Sequence, residues 1–187
     1  MVKKQSKQAL LQATVDLISE KGYFGTGLNE VLSLSNAPKG SLYYYFPNGK
    51  NQLMVEAITL AGEQVSEVLR QTFIPENDLK TAFEQVFHFF VQQLEASNFK
   101  KSCPVATVAS ESAALDEEVR VACKQVYTAW NQLIKAFLLQ KGIPEETAQK
   151  QAQFALNLIE GNLLMSRVFQ NTEHLKLGLV TLLETIK

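Results

Sequence analysis

From Leu79 to Leu94 the apolar residues Leu79, Ala82, Phe83, Val86, Phe87, Phe90, Val91 and Leu94 step alternately by three and by one. That is the spacing of one face of an α-helix, and a strand cannot accommodate it. The rest of the chain reads the same way. No run alternates apolar and polar residues long enough to argue for a sheet, and helix breakers recur at Gly22–Gly27, Ser35–Pro38, Pro47–Gly49, Pro75–Asp78, Ser97–Pro104, Gly142–Pro144 and Asn171–Thr172. The expected fold is therefore all-α with about nine helices, over roughly 4–21, 28–34, 38–45, 49–73, 76–97, 104–114, 117–141, 144–170 and 173–186. Of 187 residues, 46% are hydrophobic and 20% charged, enough apolar content for a sizeable core.

Charge is uneven along the chain. Residues 1–50 carry six lysines (Lys3, Lys4, Lys7, Lys21, Lys39 and Lys50) against Asp16, Glu20 and Glu30, whereas the remainder is mildly acidic, giving a net charge of −1. A basic end on an acidic body suits a local anion contact. Within that end, Val31, Leu34, Leu42 and Phe46 are expected to form a small core that sets the angle between the second and third helices. Ser35, Asn36 and Ala37 form the turn, with Asn36 in the left-handed conformation that Asn tolerates. The third helix opens with Pro38, whose missing N–H is harmless there, and contains Gly40, at a cost of about 1 kcal/mol relative to Ala. So short a helix with that penalty suggests close approach of its backbone to a partner. Lys39, Gly40 and Ser41 project near its start, and Tyr43, Tyr44 and Tyr45 add rigid hydroxyl-bearing rings. Thr26 precedes the second helix and Lys50 opens the fourth, both placed to meet phosphate. The expected DNA-binding set is thus Thr26, Lys39, Gly40, Ser41, Tyr43, Tyr44, Tyr45 and Lys50, with the third helix as a reader of the major groove.

The elements Gly22-Tyr23-Phe24, Thr26, Gly40-Ser41-Leu42-Tyr43-Tyr44-Tyr45-Phe46 and Lys50 resemble the DNA-binding domain of TetR/AcrR-family regulators. Pro38-Lys39-Gly40-Ser41-Leu42-Tyr43, Phe46-Pro47-Asn48-Gly49-Lys50 and the later Ser102-Cys103-Pro104-Val105-Ala106-Thr107 are similar to the LmrA/YxaF-like subgroup. The sequence departs from the family pattern at Asn36, where Gly is usual, and at Leu32, where Ala is common. The resemblance implies a helix-turn-helix domain over 1–48 and an effector-binding and dimerisation domain over 49–187. It also implies a homodimeric, ligand-responsive transcriptional regulator, most simply a cytoplasmic repressor released from a palindromic operator by a small, mostly apolar effector. An all-α small-molecule-binding protein without DNA activity is the alternative.

In the body, aromatic residues at helical spacing (Phe87, Phe90, Trp130, Phe137 and Phe154, with Met165) are expected on inward faces as an effector lining suited to a flat apolar ligand; plain core packing is the competing reading. The eighth helix is apolar nearly all round from Phe154 to Phe169, which calls for cover beyond a single chain unless this helix is simply the centre of the body. The expected dimer face is Phe154, Leu158, Gly161, Met165, Leu179 and Leu183, with Ala152 and Ala155 also permitting close helix approach. Asn157, Glu160, Asn162, Ser166 and Arg167 exclude a membrane span there. The amino end has no continuous apolar leader region, so no signal peptide is expected. Cys103 and Cys123, with only His88 and His174, offer no metal-ligand spacing; no metal or cofactor is expected, and no catalytic pairing that would make an enzyme.

Overall fold

In a computed structural model describing residues 2–112, 114 and 116–186, the chain is helical throughout, with nine helices and no strand among the described residues. The side chains of Lys3 and Lys4, and Ala113 near the expected end of the sixth helix, lie outside what is described. The helices are α1 (Val2–Gly25), α2 (Leu28–Ser35), α3 (Lys39–Tyr45), α4 (Gly49–Thr72), α5 (Leu79–Ala96), α6 (Pro104–Ser112), α7 (Glu117–Gln140), α8 (Glu145–Phe169) and α9 (Glu173–Thr185). They form two compact units, one of Met1–Glu63 with Cys103–Val126, the other of Gln64–Ser102 with Tyr127–Lys187. The first unit is wider than the helix-turn-helix domain expected over 1–48, since it takes in the start of α4, all of α6 and the start of α7.

The first unit is built around α1, which packs against α2, α3 and α6. Leu10, Leu11, Ala13, Val15, Leu17 and Ile18 are all buried, so α1 has no single inner face and is the central helix of its unit. Its buried hydroxyls stay satisfied by bonding back one turn: Thr14 donates to Leu10 O at 2.8 Å and Ser19 to Val15 O at 2.6 Å. Gly22 then breaks the helical path at φ 72°, a left-handed conformation that glycine adopts freely.

The core face of α2 differs from the expectation. Leu34 is 56% exposed, whereas Val31 is fully buried and Leu28, Leu32 and Ser35 are half-buried beside it. These four lie at i, i+3, i+4 and i+7, one helical stripe, while Leu34 falls a full residue off it. Asn36 adopts the left-handed conformation expected of it, φ 53°. Leu42 and Phe46, one turn apart, are completely buried and anchor α3.

In the second unit α5 starts at Leu79, where its periodicity begins and three residues after the expected bound at 76, because Asp78 caps it. The Thr81 N–H donates to Asp78 Oδ1 at 2.7 Å, and this bond holds the Asp78 carboxyl below its ordinary pKa. Phe73 stacks on Phe137 with ring centroids 4.7 Å apart and meets Phe83 edge-on at 5.4 Å, an aromatic core. Helix α8 turns Ala148, Ala152, Ala155, Leu156, Ile159, Leu163 and Ser166 inward. Against it, α9 places Gly178 over Asn162, where a Cβ would overlap the amide. Ala152 and Ala155 therefore serve close packing within the chain rather than a face offered outward.

Candidate nucleic-acid interface

Because Leu42 and Phe46 occupy the inner side of α3, the residues between them must face away from the core. Tyr43 is 58% and Tyr44 67% exposed, and Lys39 and Gly40 are exposed as well. Ser41 and Tyr45 are half-buried, Tyr45 meeting Tyr44 edge-on at 5.0 Å and Phe46 at 6.5 Å. Among the described residues none pairs with Lys39, whereas Lys7 is held by Glu56 at 2.7 Å and Lys21 by Glu30. Of the lysines of the basic end whose side chains are described, Lys39 is thus the cation presented outward at the start of α3.

Gly40 has no structural reason within the chain. Its φ is not in the left-handed region, and a Cβ built on it would meet nothing within 4 Å. The helix penalty of about 1 kcal/mol is therefore unexplained by folding.

Thr26 plays a different part from a surface donor. It is fully buried, and its hydroxyl donates to Gly22 O at 2.7 Å, closing the break at the end of α1. The N-cap of α2 is Gly27, with no side-chain cap bond; the Glu30 and Val31 N–H groups both donate to Gly27 O at 3.1 Å. Lys50, at the start of α4, is half-buried with its ammonium 4.7 Å from the Tyr23 ring centre. Burial pulls its pKa down, partly opposed by the Glu111 carboxylate. Gln52, which spacing arguments do not single out, joins the corner between α3 and α4. Its amide donates to Tyr45 O at 3.3 Å and its oxygen accepts from Asn48 N–H at 3.2 Å.

In the second unit, a cavity of about 560 Å³ opens between α5 and α9, floored by Phe87, Val91, Leu175 and Leu179 and rimmed by His88 and Lys176. Of the expected effector residues only Phe87 lines it. Phe137 is committed to its stack with Phe73, and Trp130 is buried with Tyr127 edge-on at 5.5 Å. Phe90 is half-buried. Phe154 and Met165 face outward rather than inward, being 37% and 39% exposed, because the inner stripe of α8 passes through its alanines instead.

The outward side of α8 carries Phe154, half-buried Leu158, Gly161, Met165 and Val168, stepping by four and three, the seam spacing of two packed helices. Leu164 and Phe169 flank it. A Cβ at Gly161 would meet nothing within 4 Å. On α9 the exposed apolar residues are Leu177 and Val180, while Leu179 and Leu183 are half-buried. Among the described residues no cluster of three or more His, Cys, Asp or Glu could hold a metal, and no helix is long and apolar enough to cross a membrane. Cys103 and Cys123 are both buried, and burial pushes the Cys123 thiol up to about 11.

The sequence matches two family profiles. Residues 10–57 match bacterial regulatory proteins of the tetR family, and residues 80–177 match the C-terminal domain of LmrA/YxaF-like transcriptional regulators. The chain is 33% identical to the HTH-type transcriptional regulator YxaF of Bacillus subtilis over 161 residues, 86% of this chain and 84% of that one. It is 31% identical to the HTH-type transcriptional regulator LmrA of the same organism, over 89% of each chain. Its fold superposes on a TetR transcriptional regulator from Legionella pneumophila with a TM-score of 0.85 at 22% identity, covering 97% of both chains. With α3 exposed as the second helix of an N-terminal helix-turn-helix and a matching C-terminal half, the chain belongs to the TetR family of bacterial DNA-binding transcriptional regulators, in its LmrA/YxaF-like branch.

Proposed function

We propose that this regulator is a homodimeric repressor that places one α3 of each subunit in the major groove of a near-palindromic operator and leaves the DNA when a small, mostly apolar effector binds. The outward presentation of Lys39, Gly40, Tyr43 and Tyr44 on α3 carries this reading. Lys39 and Ser41 meet base edges or phosphates near the start of α3, the tyrosines reach phosphates and thymine methyls, and Gly40 lets the backbone close in. Lys50 and the uncapped start of α2 hold phosphates. Thr26 serves the interface by fixing where α2 begins. The reader extends over 1–48, and 49–187 carries effector binding and dimerisation. Among the effector residues, Phe87 at the groove between α5 and α9 is the one favoured by geometry. Effector binding acts by favouring a conformer with wrongly spaced readers, which takes a coupling of only about 1–3 kcal/mol.

Purified protein mixed with sheared genomic DNA is expected to retain a small set of fragments at low salt. Their affinity falls steeply with ionic strength, because several phosphates are neutralised together. Failure to retain any fragment, or retention insensitive to salt, contradicts the reading.

Gly40→Ala separates the fold from the function. With open space around the site, the substitution should raise stability by up to about 1 kcal/mol through helix propensity, read as a higher Tm. The same methyl should weaken operator binding. A variant that is both more stable and equally tight would remove the argument from Gly40.

A further inference from the structure

The break at Gly22 leaves polar groups of α1 without their helical partners. One is repaired locally, by the Thr26 hydroxyl on Gly22 O at 2.7 Å. Another is repaired from 87 residues away, where the Phe24 N–H donates to Glu111 Oε2 at 3.1 Å. Glu111 also fills the space beside the break: a Cβ built at Gly22 would overlap its carboxylate, so Gly22 is required both by its left-handed φ and by Glu111. Helix α6 ends at Ser112, so this carboxylate sits in the last turn, at the negative end of the helix dipole, where an acid is disfavoured. A group placed against its own helix and spent on a foreign backbone N–H is doing more than decorating a surface.

The DNA reader begins directly after this break. Two residues separate Phe24 from the Gly27 cap of α2. Lys50, whose charge Glu111 supports, rests on the ring of Tyr23 beside the same break. The covalent chain enters this unit at Cys103, immediately before α6. We infer that Glu111 is a positioning residue for DNA binding: by accepting the Phe24 N–H it fixes the α1–α2 corner, and hence the reader, without touching DNA. This rests on the reading of α3 as the DNA contact.

Two variants separate reach from charge. Glu111→Asp keeps the charge but shortens the side chain by one methylene, so the carboxylate no longer reaches the Phe24 N–H. Glu111→Gln keeps the reach and an acceptor but loses the charge. Each is measured for affinity to the duplex that the wild-type protein selects from a random pool, for the salt dependence of that affinity, and for hydrogen exchange of the Phe24 amide.

The expected result is that Glu111→Asp binds at least about tenfold more weakly, with an unchanged salt slope because no phosphate contact is lost. Its Phe24 amide exchanges faster. Glu111→Gln stays within about threefold of wild type in affinity, with the amide still protected. Were the charge alone to matter, removing an acid would tighten DNA binding in Glu111→Gln and leave Glu111→Asp unchanged. That ranking, or unaltered affinity in Glu111→Asp, overturns the inference. If the wild-type protein selects no duplex, the DNA-binding reading fails instead, and the Phe24 amide still reports whether Glu111 holds the corner.

Discussion

Lys39→Ala and Tyr43→Ala are each expected to weaken operator binding at least tenfold, a loss of about 1.4–3 kcal/mol, in a gel-shift titration. Both side chains are exposed, and neither belongs to the Leu42–Phe46 anchor that holds α3 on the core. Helix content and Tm should therefore stay within the small range typical of surface substitutions. The two variants are also expected to differ from each other. If Lys39 meets a phosphate, its loss lowers the slope of log affinity against log salt by about one and weakens all sequences alike. If it meets a base edge, the slope persists and discrimination at one position relaxes. Tyr43→Ala removes an uncharged group and leaves the slope as it was. Full operator affinity in both variants would remove α3 from the interface.

The second large effect is expected at Gly161. Within one chain this position is open, so an arginine there meets no clash and the subunit should fold normally. In the proposed dimer it lies midway along the seam of Phe154, Leu158, Gly161, Met165 and Val168, where two helices approach closely. A bulky cation buried there without a partner costs several kcal/mol, enough to dissociate a dimer at micromolar concentration. Gly161→Arg is expected to sediment as a monomer with wild-type helix content. It should also lose most operator affinity, because only one half-site can then be engaged at a time. A dimer that survives this substitution would move the self-association face off α8. Leu177 and Val180 on α9 belong to the same test, since their exposed apolar side chains extend the surface that a second copy would cover.

The helices were legible because their signals are local. The three-and-one spacing of α5, the Pro38 start of α3 and the Asn36 turn depend on residues within one or two turns of each other. The outward set on α3 was legible for the same reason: once Leu42 and Phe46 are taken as the anchor, Lys39, Tyr43 and Tyr44 have nowhere else to point. Failures occur where local pattern leaves two solutions. In α2, Leu32 and Leu34 are equally apolar, and only the stripe through Leu28, Val31 and Ser35 decides which is inside. In α8, apolar nearly all round, the stripe through Ala148, Ala152, Ala155, Ile159 and Leu163 takes the inner side rather than Phe154 and Met165, and local spacing does not choose between the two. Phe137 shows the opposite ambiguity: the spacing that suits a pocket wall equally suits a stack on Phe73. Contacts between distant positions left no trace in spacing at all. Glu111 on Phe24, Gln52 on Tyr45 and Lys7 on Glu56 each join separate helices. The buried hydroxyl of Thr26 is the subtlest case, a polar residue beside the reader that works on the backbone behind it.

The central claim is that two copies of α3 enter the major groove. Methylation protection of guanine N7, an atom that lies in that groove, tests it on a duplex selected by the wild-type protein. The expected pattern is two protected patches, their centres about one helical turn or somewhat more apart, both lost with Lys39→Ala and with Gly161→Arg. A tightly bound duplex whose guanines stay fully reactive, or a single patch unaffected by either substitution, would contradict it.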